Sequence, residues 1–232
     1  MIRLDNVSKT FWVRGEPRVV ADGITATFPT GARVGLMGVN GAGKSSLLSM
    51  IAGTLEPDTG SVVSNGTISW PVGFRGSFHR DLTGAQNIRF IARIYGVDTE
   101  ELSAFVEDFA ELGHQYYQPF RSYSSGMRSR LSFGVSMGIR FDTYLVDEAT
   151  SVGDAAFKAK SRRVFMDRMR NGGAVYVSHS MNKLRQLCTM GAVLDLGRLY
   201  VYDDLEEAIA HHEAILHQTL GLRADDEDPD DE

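Results

Sequence analysis

Gly38-Val39-Asn40-Gly41-Ala42-Gly43-Lys44-Ser45-Ser46 is the stretch from which the rest of the chain can be read. Before it runs Arg33-Val34-Gly35-Leu36-Met37, an apolar segment of strand type. After it, residues 44–52 place Leu47, Leu48 and Ile51 on one helical face, and Gly53 supplies a stop. A glycine-rich turn between strand and helix lets successive backbone N–H groups face an anion, and the helix adds the positive end of its dipole. In this pattern Lys44 is expected to reach the β- and γ-phosphates of ATP, and Ser45 to ligate Mg2+. Ser46 completes the expected phosphate-binding set.

Outward from that loop, residues 2–4 and 19–28 read as strands. Asn65-Gly66, between Val62-Val63 and Ile68-Ser69-Trp70, reads as the turn of a β-hairpin. The middle third turns helical. Asp98 with Glu101 has the spacing of a capping box, Leu102, Phe105, Val106, Phe109 and Leu112 follow at helical spacing, and Gly113 closes the segment. A helix is expected over 124–139, a buried strand at Tyr144-Leu145-Val146, a helix over 155–171, a strand over 174–177 and a terminal helix over 206–220. These elements imply an α/β class: a P-loop core with an N-terminal antiparallel β subdomain and an α-helical subdomain, about 85–140, inserted in it. Residues 1–215 form that domain and 216–232 an acidic tail, expected to be disordered.

Composition bounds the function. In 232 residues, 43% are hydrophobic and 23% charged, as in soluble globular proteins. No apolar run approaches the ~20 residues of a spanning helix, and Met1-Ile2-Arg3-Leu4-Asp5 is no signal peptide. A lone cysteine, Cys188, suits a reducing compartment. Seven acids crowd into the last eight residues and dominate the net charge of -6. They read as a solvated tail, with an electrostatic regulatory segment as the alternative. Nothing in the charge pattern suggests nucleic acid.

Tyr144-Leu145-Val146-Asp147-Glu148 is an apolar strand ending in acids. Asp147 is placed to support Mg2+, and Glu148 to orient or deprotonate an attacking water. With these residues in view, the chain resembles the ABC ATP-binding domains over about residues 1–210. Tyr123-Ser124-Ser125-Gly126-Met127 is similar to the signature motif and precedes the acid pair by about twenty residues. Ser178-His179-Ser180 resembles the switch histidine, and Asp154 matches the D-loop aspartate.

The resemblance implies a mechanism. Two copies close head to tail, and Ser124, Ser125, Gly126 and Met127 of each complete the γ-phosphate cage of the other. Glu148, His179 and Lys44 are the catalytic set, and Phe11 or Trp12 stacks on adenine. There is one departure. The family's glutamine after the strand at 68–71 is missing, since no Gln lies between Trp70 and Thr83. The loop over 70–83, with Phe74-Arg75-Gly76-Ser77-Phe78-His79, is the expected docking segment for a membrane partner.

Ile68-Ser69-Trp70-Pro71, Leu82-Thr83-Gly84 and the run from Tyr123 to Arg130 look like ATPase subunits of bacterial polysaccharide exporters, most of all those of capsular polysaccharide. That branch implies an integral-membrane permease, an envelope-spanning export apparatus and a peripheral position on the cytoplasmic face of the inner membrane. Teichoic-acid or O-antigen export is the near alternative, and a soluble non-transport ABC ATPase the more distant one.

Overall fold

The computed structural model describes residues 1–73, 76, 78–147 and 155–225. The chain forms two compact units, Met1–Asn65 with the chain from Ala174 onward, and Gly66–Gly173. The first opens with β1 (Ile2–Val13), β2 (Glu16–Phe28), β3 (Arg33–Met37), α1 (Lys44–Ile51) and β4 (Thr59–Ser64). The second holds β5 (Ile68–Pro71), α2 (Gly84–Tyr95), α3 (Thr99–Ala110), two 3-10 turns, α4 (Ser125–Gly138), β6 (Thr143–Val146) and α5 (Ala155–Asn171). The chain then returns to the first unit through β7 (Gly173–Val177), α6 (Met181–Leu187), β8 (Met190–Asp195), β9 (Arg198–Tyr202) and α7 (Leu205–Asp225).

In the first unit β1 pairs antiparallel with both β2 and β4. Ile2 and Leu4 are buried while Arg3 and Asp5 face solvent, the period-two pattern of a sheet with one wet face. β3 lies parallel between β7 and β8, with β9 antiparallel on β8. Val34 to Met37 are all buried, as in a strand covered on both faces. α7 packs against β8 and β3, and small residues permit the approach. A Cβ built on Gly191 would lie 2.2 Å from the Ala208 Cβ.

In the second unit β5 runs parallel to β6. The helices share an aromatic interior in which Phe109 lies 5.8 Å from Phe105 and from Phe133, centroid to centroid. Trp70 is buried, its Nε1 donating to Ser136 Oγ at 3.0 Å.

Several local readings change. Asn65-Gly66 is not a hairpin turn, because β4 pairs with β1 and β5 with β6. Long-range bonds override the turn chemistry: Asn65 N donates to Met1 O, and Thr67 N and Oγ1 both donate to Asp142 Oδ2 at 2.8 Å. α3 ends at Ala110 and its left-handed cap is Glu111, at φ 52°, so Leu112 lies outside the helix and Gly113 starts the next turn. Asp98 accepts from Glu101 N at 2.8 Å, but the reciprocal capping box belongs to Thr83 and Gln86. α7 continues to Asp225, so 216–225 are helical where the tail was expected to begin.

Replacing Gly191 with Ala puts a methyl against the Ala208 Cβ, where α7 cannot yield without leaving the sheet. Overpacking of this kind costs ~1–3 kcal/mol. The urea midpoint of Gly191→Ala should fall accordingly at unchanged slope; a wild-type midpoint would contradict the packing.

Candidate nucleotide-binding site

The loop between β3 and α1 is shaped by what surrounds it. Gly43 has φ 106°, and a Cβ there would lie 2.8 Å from the Val20 Cβ of β2. Gly41 has φ 81°, and its carbonyl accepts from Arg18 Nη2 at 2.5 Å. Both positions need glycine, for conformation and for space. Lys44 is buried, and its Nζ donates to Gly38 O at 2.7 Å and Val39 O at 2.9 Å. A buried ammonium at the start of a helix makes a strong anion site, because both its charge and the helix amides favour a phosphate there. Ser45 is exposed on the first turn of α1, Ser46 half-buried.

Arg18 also places the aromatics. It lies opposite Phe11 in the β1–β2 register, so its bond to Gly41 ties that ribbon to the phosphate loop. Trp12, opposite Pro17, is 73% exposed. Phe11 is half-buried, with the Lys9 ammonium 5.7 Å from its ring centroid.

His179 is exposed after β7, in a turn where Ser180 N donates to Ser178 Oγ at 3.1 Å. Behind it, α7 contributes His212, which is 4% exposed and whose Nδ1 has no hydrogen-bond partner among the described residues. Burial pushes its pKa below the ordinary value, and the charges of Lys44 and His179 push it further the same way.

In the second unit Asp147 is half-buried at the end of β6. Ser124 caps α4, its Oγ accepting from Met127 N at 3.2 Å. Ser124, Ser125 and Gly126 are exposed and Met127 half-buried, so the first turn of α4 presents its amides outward. Glu148 and Asp154 lie outside the described residues, as do Phe74, Arg75 and Ser77. Within the expected docking loop, Trp70 and Phe78 turn inward. Trp70 is 7% exposed, and Phe78 stacks on Phe120 at 4.9 Å. Buried Asn87 holds the loop, accepting from His79 N and donating to the carbonyls of His79, Leu82 and Thr83.

Arg18 and His212 were missed by the motif reading, since each acts on residues far along the chain, and Asn87 was missed although its partners lie only four to eight residues away. Only Asn87 gave a local sign, a polar residue on the apolar face of a predicted helix start. Among the described residues there is no helix long and apolar enough to cross a membrane.

A strand–loop–helix with a buried lysine defines a P-loop nucleotide-binding protein. The comparisons carry this further: the pattern of the ABC transporter family matches residues 21–151. The polysialic acid transport ATP-binding protein KpsT of Escherichia coli is 46% identical, over 96% of this chain and 100% of its own. The capsule polysaccharide export ATP-binding protein CtrD of Neisseria meningitidis serogroup B is 39% identical, over 93% and 100%. Among solved structures, the dimeric ATP-binding cassette MJ0796 bound to ADP and Pi superposes with a TM-score of 0.70 at 19% identity, covering 88% of this chain and 99% of that one. The chain belongs to the ABC transporter family, as an ATP-binding, ATP-hydrolysing subunit.

His212 makes stability depend on pH. Its folded pKa lies below the unfolded value near 6.5, so between the two the unfolded chain binds more protons. Its contribution is intact above about pH 6.5 and is lost as pH falls toward the folded value. Between pH 7.5 and 5.5 the urea midpoint should drop more for wild type than for His212→Phe. Parallel profiles would show that the ring does not stay neutral in the fold.

Proposed function

We propose that the chain powers export of a capsular-type polysaccharide, working as a pair of copies beneath an integral-membrane permease on the cytoplasmic face of the inner membrane. The observation that supports this most is the full-length similarity to KpsT and CtrD, whose names specify polysialic acid transport and capsule polysaccharide export. An envelope-spanning apparatus would receive the polymer.

In this reading the loop from Gly38 to Ser46 wraps the phosphates and Lys44 neutralises the β- and γ-oxygens. Phe11 or Trp12 stacks on adenine; the exposure of Trp12 favours the indole. Ser45 and Asp147 are hard oxygen donors of the kind Mg2+ accepts alongside phosphate and water, and the ion would offset charge on the β- and γ-phosphates. Glu148 polarises the attacking water, His179 contacts the γ-phosphate, and Asp154 is the D-loop aspartate. Ser124, Ser125, Gly126 and Met127 act on the partner's nucleotide, a role that fits an exposed helix start. Docking falls to the exposed part of the loop, Gly76 and residues 79–81, since Trp70 and Phe78 are spent on packing.

Glu148→Gln keeps the shape and removes the base. ATP hydrolysis by the permease complex should fall by roughly 10²–10⁴-fold while ATP binding persists, and polymer should accumulate inside the cell. Near-normal turnover would exclude Glu148 as the base; normal surface polymer with hydrolysis abolished would exclude the export role.

A further inference from the structure

β2 lies along the phosphate loop in a register that the strand period sets. Alternate residues of a strand share a face, and Arg18 and Val20 are two apart, as are the glycines they meet. Val20 crowds Gly43, where a Cβ would lie 2.8 Å from the Val20 Cβ and 3.2 Å from its carbonyl oxygen. Arg18 meets Gly41, where a Cβ would lie 2.6 Å from Nη2. Val20 is buried and makes a packing contact, whereas Arg18 is exposed and makes a polar one. Among the described residues the Gly41 carbonyl is the one hydrogen-bond partner of the Arg18 side chain, and no carboxylate pairs with it.

The peptide that Arg18 holds is one whose orientation matters to an anion. The carbonyl of Gly41 and the N–H of Ala42 belong to one planar trans unit and point in opposite directions. With the carbonyl drawn toward Arg18, the N–H turns into the loop, where Ala42 N donates to Val39 O at 3.1 Å. The same Val39 oxygen accepts from Lys44 Nζ at 2.9 Å. Arg18 therefore holds from outside the turn that Lys44 holds from inside. Gly41, at φ 81°, is a glycine, and glycine loses more freedom on ordering than any other residue. An anchor on its carbonyl meets part of that entropy before a ligand arrives, and a loop ordered in advance binds more tightly than a mobile one.

We propose that Arg18 is a positioning residue for ATP: by fixing the Gly41–Ala42 peptide it sets the affinity of the phosphate loop and not the rate of hydrolysis. The proposal rests on the reading that residues 38–46 wrap the phosphates. Arg18 acts through Gly41, without touching the reacting atoms. A loop ordered in advance favours bound substrate and transition state alike, and uniform binding of that kind changes KM while leaving kcat in place.

The test uses the purified full chain and three measurements: equilibrium binding of radiolabelled ATP with Mg2+, steady-state hydrolysis, and hydrogen exchange of the protein without nucleotide. Arg18→Gln should weaken ATP binding and raise KM about tenfold, the loss expected of one charge-assisted hydrogen bond. Its kcat at saturating ATP should stay within about twofold of wild type. Arg18→Lys keeps a charged donor for the single carbonyl and should recover most of the affinity. Amide exchange over residues 39–44 should quicken in Arg18→Gln, while residues 190–202 exchange as in wild type. Wild-type affinity in Arg18→Gln, with ATP binding lost in Lys44→Ala, would overturn the proposal alone. Normal ATP binding in Lys44→Ala would remove the phosphate-loop reading and the proposal with it. Weakened affinity at unchanged exchange over 39–44 would put Arg18 on the nucleotide itself, and exchange quickened equally over 190–202 would reduce the contact to general stability. Either result contradicts a positioning role.

Discussion

The buried ammonium of Lys44, held by the carbonyls of Gly38 and Val39, is the constraint from which the rest of the first unit follows. A cation out of water needs close oxygen partners, and the loop supplies them only by coiling through backbone angles that glycine tolerates. The coil in turn needs walls. Val20 crowds Gly43 from β2, and Arg18 holds Gly41 from the same strand. β3 must end at this point, and its residues Val34 to Met37 are buried, fixed by parallel neighbours on both sides. α7 packs on the same strands and carries His212, whose pKa is lowered by burial and by the charge of Lys44.

The second unit answers a different requirement. Its aromatic interior and the Ser124 cap hold α4 so that its first turn is exposed and pre-formed. Donors fixed in advance need no reorganisation when charge arrives, which is the condition for effective anion stabilisation. The same unit spends Trp70, Phe78 and Asn87 on shaping the loop after β5. Gln86, the first glutamine after that strand, is taken up by the Thr83 capping box.

What the sequence revealed and what it hid divide along contact range. The phosphate loop, α1 and β6 were legible because their chemistry is local: glycines, a lysine and an apolar strand ending in acid lie within a few residues of one another. The ABC family and its polysaccharide-export branch were legible from the order and spacing of motifs. Asn65-Gly66 misled because a turn dipeptide carries no information about which sheet each flanking strand will join. Gly113 misled because Glu111, whose carboxylate Lys160 engages, takes the left-handed position two residues earlier. Arg18 and His212 were invisible as site residues, since their importance comes from strand register and from the docking of a distant helix.

The account rests on two loops meeting across a pair of copies, and a structure of the ATP-bound protein at side-chain resolution tests that most directly. Each nucleotide should have its β- and γ-phosphates against Lys44 and Ser45 of one copy, with Ser124 to Gly126 of the partner on its γ-phosphate. A γ-phosphate contacted by Lys44 and Ser124 of the same copy, or by one copy alone, would contradict it.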